Sequence, residues 1–152
     1  MEGKPDERSQ PILRVPRDKT PAEVTLEDGE KSYVLLYIAP GDRISQVFED
    51  SNPFMPVTNG AGTRFLPRKA VACVTAHKSR APLDHDLPHE RQMVSVRLRG
   101  GTRILGELRW NAPYDRRRTQ DHLNDSSHYF LVFEGDYVHF ISKACVLSVE
   151  ET

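Results

Sequence analysis

The chain has 152 residues, of which 38% are hydrophobic and 28% charged, with a formal net charge of -1. A near-neutral chain has no global attraction to nucleic acid or anionic lipid, and its longest apolar run, Tyr33 to Ala39, falls far short of the ~20 residues that span a bilayer. The polar opening from Met1 to Arg8 lacks the apolar segment of a secretory leader. Two cysteines, Cys73 and Cys145, make no disulfide framework, so a reduced, cytoplasmic setting with buried structural thiols is expected.

Residues 1–21 are polar, contain Pro5, Pro11 and Pro16 and show no periodicity, which predicts a flexible arm. From Val24 the chain alternates apolar and polar residues, the period of a half-buried strand. Asp28-Gly29 suits a hairpin turn, and a second strand runs from Tyr33 to Ile38, closed by Ala39-Pro40. Asp42 is expected to cap a short helix whose Ile44, Val47 and Phe48 share one face. Strand segments follow at Phe54 to Val57, Phe65-Leu66 and Ala70 to Val74, with Gly60-Ala61-Gly62-Thr63 as a hairpin-like turn. Residues 76–92, rich in His and Pro, read as a linker.

The second half repeats this plan. Val94 to Leu98, the turn Gly100-Gly101 and Ile104 to Trp110 precede Ala112-Pro113-Tyr114-Asp115-Arg116, which echoes Ala39-Pro40-Gly41-Asp42-Arg43. From Arg43 to Val74 a constant shift of 75 carries the chain onto Arg118 to Val149 without a gap. Asp50 and Asp125, Val57 and Val132, Gly60 and Gly135, Phe65 and Phe140, and Val74 and Val149 are identical on that shift. Thr119, His122 and Leu123 hold the helix spacing, and Tyr129 to Phe133, Tyr137 to Ile141 and Cys145 to Val149 are the closing strands. The expected fold is mainly β (α+β), a tandem duplication of a strand-strand-short helix-strand-strand unit, small-barrel-like, over residues 22–75 and 93–152. Each unit is too small to be comfortable alone, so the two should pack on each other.

The helix starts, Arg43-Ile44-Ser45-Gln46-Val47-Phe48-Glu49 and Arg118-Thr119-Gln120-Asp121-His122-Leu123-Asn124, resemble a motif of a family of small bacterial β-domain proteins of uncharacterised activity. That motif runs Arg, Leu or Ile, Ser, Asp, any residue, Leu or Phe, Asn. The first copy matches at Arg43, Ile44, Ser45 and Phe48, the second at Arg118, Asp121, Leu123 and Asn124. The resemblance implies a bacterial source and a non-enzymatic domain.

No residue set forms a recognisable catalytic site. Cys73 with His77, and Ser126-Ser127-His128, lack a fixed partner set, and Gly60 to Thr63 lacks the helix and Lys of a phosphate loop. His77, Asp84, His85, Asp86 and His89 are the one metal-like cluster, but their spacing matches no known zinc arrangement, so no metal and no cofactor are expected. Arg116 to Arg118 with Asp125-Ser126-Ser127 suggest a cyclic dinucleotide only without the glycines that such a site needs. Charge says more. Eight arginines stand against two acids between Arg91 and Arg118, whereas the equivalent stretch of the first unit carries Glu23, Glu27, Asp28 and Glu30. Arg97, Arg99, Arg109, Arg116, Arg117 and Arg118 are therefore the expected partner-binding basic face. The function expected is non-catalytic: a protein-interaction or structural module, an accessory subunit of a larger bacterial assembly, with self-association included. The alternative is an Sm-like or other small-barrel RNA binder using the same arginines.

Overall fold

Backbone N–H and C=O groups need partners wherever apolar side chains pull them from water, and here one antiparallel ladder supplies those of the strands that carry the core. The structure, a computed structural model, describes residues 19–39, 41–82 and 90–152. The first half comprises β1 (Thr20–Leu26), β2 (Lys31–Leu36), α1 (Gln46–Glu49), β3 (Phe54–Asn59), β4 (Gly62–Pro67) and β5 (Val71–His77). The second comprises β6 (Glu90–Leu98), β7 (Arg103–Trp110), α2 (Thr119–Leu123), β8 (Tyr129–Glu134), β9 (Tyr137–Ser142) and β10 (Val146–Glu151). All ten strands form one antiparallel sheet in the order β10-β6-β7-β8-β9-β5-β1-β2-β3-β4. Among the described residues the sheet does not close, and β4 and β10 stand at its ends.

Registers recur between the halves. Thr25 faces Lys31 and Arg97 faces Arg103; Leu35 faces Thr58 and Glu107 faces Phe133. Phe54 faces Pro67 as Tyr129 faces Ser142. Val24 faces Val74 as Val96 faces Val149, and each of these two ladders carries an irregularity at the matching place. The turns agree as well: Leu26 N–H donates to Glu30 O and Leu98 N–H to Thr102 O, both at 2.8–2.9 Å. Asn52 N–H donates to Asp50 Oδ1 at 2.8 Å, and Ser127 N–H to Asp125 Oδ1 at 2.9 Å.

Two hydrophobic cores lie on opposite faces of the middle strands. One gathers Val24, Leu36, Ile44, Val47, Val57, Val71 and Val74, and takes Leu131, Phe133, Val138 and Phe140 from the second half. The other gathers Val94, Val96, Leu98, Leu108, Trp110, Phe130, Val132 and Ile141, and takes Ala72 and Cys73 from the first. Strands β5, β8 and β9 are thus buried on both faces, which is why they read as unbroken apolar runs rather than as alternation. A side chain such as Phe140, 2% exposed, contributes about 2–3 kcal/mol by leaving water.

Several boundaries differ from the sequence reading. Thr20 and Pro21, placed in the arm, begin β1; Ala76 and His77, placed in the linker, pair with β9, and Glu90 to Gln92 pair with β7. Polar strand ends are held by neighbours distant in sequence, which composition does not display. Asp42 does not cap α1: Ser45 occupies the N-cap, with no side-chain cap bond, and Asp42 N–H instead closes a turn onto Ala39 O at 2.9 Å.

The turn after β1 meets the turn after β6 backbone to backbone. A Cβ on Gly100 would strike Gly29 N, Asp28 C at 2.6 Å and Glu27 O at 2.7 Å, whereas a Cβ on Gly60 would meet nothing within 4 Å. Gly100→Ala is expected to destabilise the protein by about 2 kcal/mol, a fall in Tm of roughly 4–8 °C, while Gly60→Ala leaves Tm nearly unchanged. Calorimetry of the two variants checks this contrast, and equal Tm values would contradict the backbone contact.

Candidate interaction surface

The outer face of the β3–β4 hairpin is built by strand alternation. Met55, Val57 and Leu66 point into the core, so Phe54, Pro56, Phe65 and Pro67 point out, with Phe54 directly opposite Pro67 and Pro56 opposite Phe65. Phe54 is 57% and Phe65 65% exposed. A cluster of two aromatic rings and two prolines on the terminal strand pair is the kind of exposed apolar surface that marks a contact site. The strand β4 beside it pairs, among the described residues, on one side only. At the rim Arg64 holds Glu30 at 2.7 Å, and the hydrogen bond from Arg64 keeps the Glu30 carboxyl below its ordinary pKa.

The predicted basic face is dispersed and mostly partnered. Arg109 Nε lies 2.6 Å from Glu107 Oε1, and its guanidinium sits 4.3 Å from the Phe133 ring centre. Arg117 Nε lies 2.9 Å from Glu90 Oε2, and its guanidinium is 5.3 Å from the Tyr114 ring centre. Arg118 donates through its backbone N–H and through Nε and Nη2 to Asp121, each at 3.2 Å, which raises its pKa. Arg99 is in the turn after β6, not on the strand, and its Nε donates to Ala144 O at 3.2 Å. Arg116 falls in the 3-10 turn Tyr114–Arg116. Arg97 alone of the set is exposed on a strand with no ion pair among the described residues, directly opposite Arg103.

A side-chain relay absent from the sequence reading crosses the junction between halves. Thr75 Oγ1 is 2.7 Å from His139 Nδ1, and His139 Nε2 is 2.8 Å from Glu134 Oε1. Thr75 and His139 are opposed in the β5–β9 ladder, and their positions show only once that pairing is known. The order hydroxyl, imidazole, carboxylate is that of a nucleophile relay, but Thr75 stands mid-strand between β1 and β9, so here it fastens two strands. Cys73 Sγ lies 3.6 Å from Thr75 Oγ1, not beside His77, whose Nδ1 accepts from Ser79 N–H at 3.1 Å. Asp84, His85, Asp86 and His89 of the metal-like cluster lie outside the described residues. Among the described residues no three His, Cys, Asp or Glu are gathered as metal ligands, and no helix is long and apolar enough to cross a membrane. For the dinucleotide set, Asp125 is already committed: burial opposes its ionisation, and hydrogen bonds from Lys143 and Ser127 outweigh that and leave its pKa lowered.

Comparison with models of known protein families, with curated proteins and with solved structures finds no match.

Two expectations follow from this geometry. Arg109→Ala should cost about 1 kcal/mol, from loss of the Glu107 pair and the ring contact, whereas Arg97→Ala should stay within about 0.5 kcal/mol of the parent; urea titrations of both variants decide it. Burial pushes the Cys73 thiol up to about 12, against the hydrogen bond to Thr75, so at pH 8 it stays a protonated thiol. Because the folded value lies above the unfolded value of about 8.5, the Cys73 contribution is intact below that pH and is lost as pH climbs toward 12. A thiol-reactive chromophore at pH 8 should label neither Cys73 nor Cys145 until denaturant is added, and rapid native labelling would show that the cores are open.

Proposed function

We propose that this protein is a non-catalytic interaction module, a duplicated small β unit that serves as a structural subunit of a larger assembly. The observation that carries the reading is the surface of exposed Phe54, Phe65 and Pro67 around half-buried Pro56, beside a strand that pairs on one side only among the described residues. Phe65 is 65% exposed while Phe140, its counterpart on the 75-residue shift, is 2% exposed inside the molecule. The same kind of side chain at the same register position is covered in one half and bare in the other, which supports a missing protein cover. Recurrence of the strand registers, turn bonds and Asx turns supports duplication as the origin of the two halves.

A second reading, RNA binding, is favoured by one observation, the like-charged pair Arg97 and Arg103 on neighbouring strands. It calls for a basic track, and Arg109, Arg117 and Arg118 are already bound to Glu107, Glu90 and Asp121.

A photo-crosslinking residue placed at Phe65 or Phe54 in the full chain should give a discrete protein adduct in cells, and one placed at the exposed turn residue Asp136 should not. Purified protein should retain no single-stranded RNA at about 150 mM salt. No protein adduct from either aromatic position would sink the interaction reading. Tight RNA binding that fades steeply with salt and is lost in Arg97→Glu would put the second reading first.

A further inference from the structure

The two ends of the sheet are related to the two strands that meet in its middle. On the shifts that superimpose the registers, β10 occupies the place of β5 and β4 the place of β9. Strands β5 and β9 pair antiparallel through Cys73 with Ile141, Val74 with Phe140, Thr75 with His139, Ala76 with Val138 and His77 with Tyr137. The corresponding strands at the ends, β10 and β4, have no second neighbour among the described residues. We propose that copies of this chain join head to tail, β10 of one copy pairing with β4 of the next in the register that β5 and β9 use within the chain. The proposal rests on the interaction reading above and names its partner as a second copy.

Four features of the chain fit that junction. First, the pairing it dictates sets Ser148 against Leu66, Val149 against Phe65, Glu150 against Arg64 and Glu151 against Thr63. Glu150 against Arg64 is an opposite-charge pair where the internal junction has the Thr75 and His139 hydrogen bond. Arg64 Nη1 and Nη2 both donate to Glu30 of its own copy, and because a guanidinium carries five N–H donors, Glu150 of the next copy can share the same cation. Second, burial is lacking where the junction would supply it: Val74 is 0% exposed under the second half, while Val149 is only partly covered.

Third, a seat exists. In the first half Tyr129 and Phe140 arrive from the second half and form one wall of the hollow at Arg43, Ile44 and Ser45, with Phe48 stacked on Tyr129 at 5.8 Å between ring centres. In the second half the matching residues Arg118, Thr119, Gln120 and Leu123, with Val149 and Glu151, line a hollow that has no such aromatic wall among the described residues. Phe54 and Phe65 are the counterparts of Tyr129 and Phe140, so the next copy carries the aromatic pair that this seat fits. Fourth, no proline interrupts the paired span: Pro67 follows Leu66, and its counterpart Ser142 likewise lies beyond the paired part of β9. Because the two surfaces differ, each copy offers one of each, and repetition gives a ring if the rotation closes and a filament if it does not.

Sedimentation of the full-length wild type across a concentration series tests this. The mass should rise above the 17.3 kDa of one chain to integral multiples. Phe65→Glu damages only the β4 surface and Glu150→Arg only the β10 surface, and both residues lie outside the cores, so circular dichroism should be unchanged. Each variant alone should lose about tenfold or more in association, and an equimolar mixture should form a two-chain species and stop there. Arg64→Glu combined with Glu150→Arg in one chain should restore assembly. A wild type that stays monomeric up to about 1 mM, or a variant mixture that yields no two-chain species, overturns the proposal. If the monomeric outcome accompanies a crosslink from Phe65 to a different protein, the interaction reading survives and only the identity of the partner is wrong; with no crosslink at all, both fail.

Discussion

Everything in this molecule hangs on the pairing of β5 with β9. Without it the sheet would be two five-stranded pieces, and Val74, Ala76, Val138 and Phe140, all now within 4% of complete burial, would face water. With it, the backbone groups of two strands are satisfied, and the faces of β8 and β9 that point away from their own core become the floor of the other. A small unit buries too little surface to be stable alone, and sharing strands between cores is the remedy used here. Each half supplies apolar surface to the other, so neither core is complete by itself.

Polar groups fix the register of that shared region. The Thr75, His139 and Glu134 relay reaches from β5 across β9 to β8, and a slip by one residue would break it as well as turn Val74 and Phe140 to the wrong side. Arg80 does related work just past the C-terminal end of β5, donating to Thr20 Oγ1 at 2.7 Å and to Asp42 O at 2.9 Å, which binds the chain after β5 to the start of β1. The two turns that touch at Gly29 and Gly100 close the remaining distance between halves with no side chain between them.

Much of this was legible in the sequence, for definite reasons. Half-buried strands announce themselves by alternation, and Val24 to Leu26 or Val94 to Leu98 did so. The runs Phe130-Leu131-Val132-Phe133 and Val71-Ala72-Cys73-Val74 carried a further signal, burial on both faces, from which the two-sided middle of the sheet could have been inferred. The charged residues were harder. Glu107 stands two residues before Arg109 on one strand and so shares its face, a pairing that period-two reasoning contains; Glu90 finds Arg117 only because the fold brings β6 beside the chain after β7. Counting arginines located the charge but not its partners, and the exposed aromatic face was missed because Phe54 and Phe65 look like core residues until the opposite residues of the same strands are seen to fill that core.

The borrowed residues of the first core set a timetable for synthesis. Val24, Leu36 and Val74 leave the ribosome well before Leu131 to Phe140, which complete their packing. The delay is about sixty residues, or roughly 3–12 s at typical rates of elongation. During that interval the nascent first half presents β5 as an open edge and an unroofed apolar floor, the combination that chaperones recognise and that invites mispairing between neighbouring chains on one message. Maturation of the N-terminal half is therefore tied to the pace at which the C-terminal half is made, and slowing translation between the two would lengthen the vulnerable period without altering the finished fold.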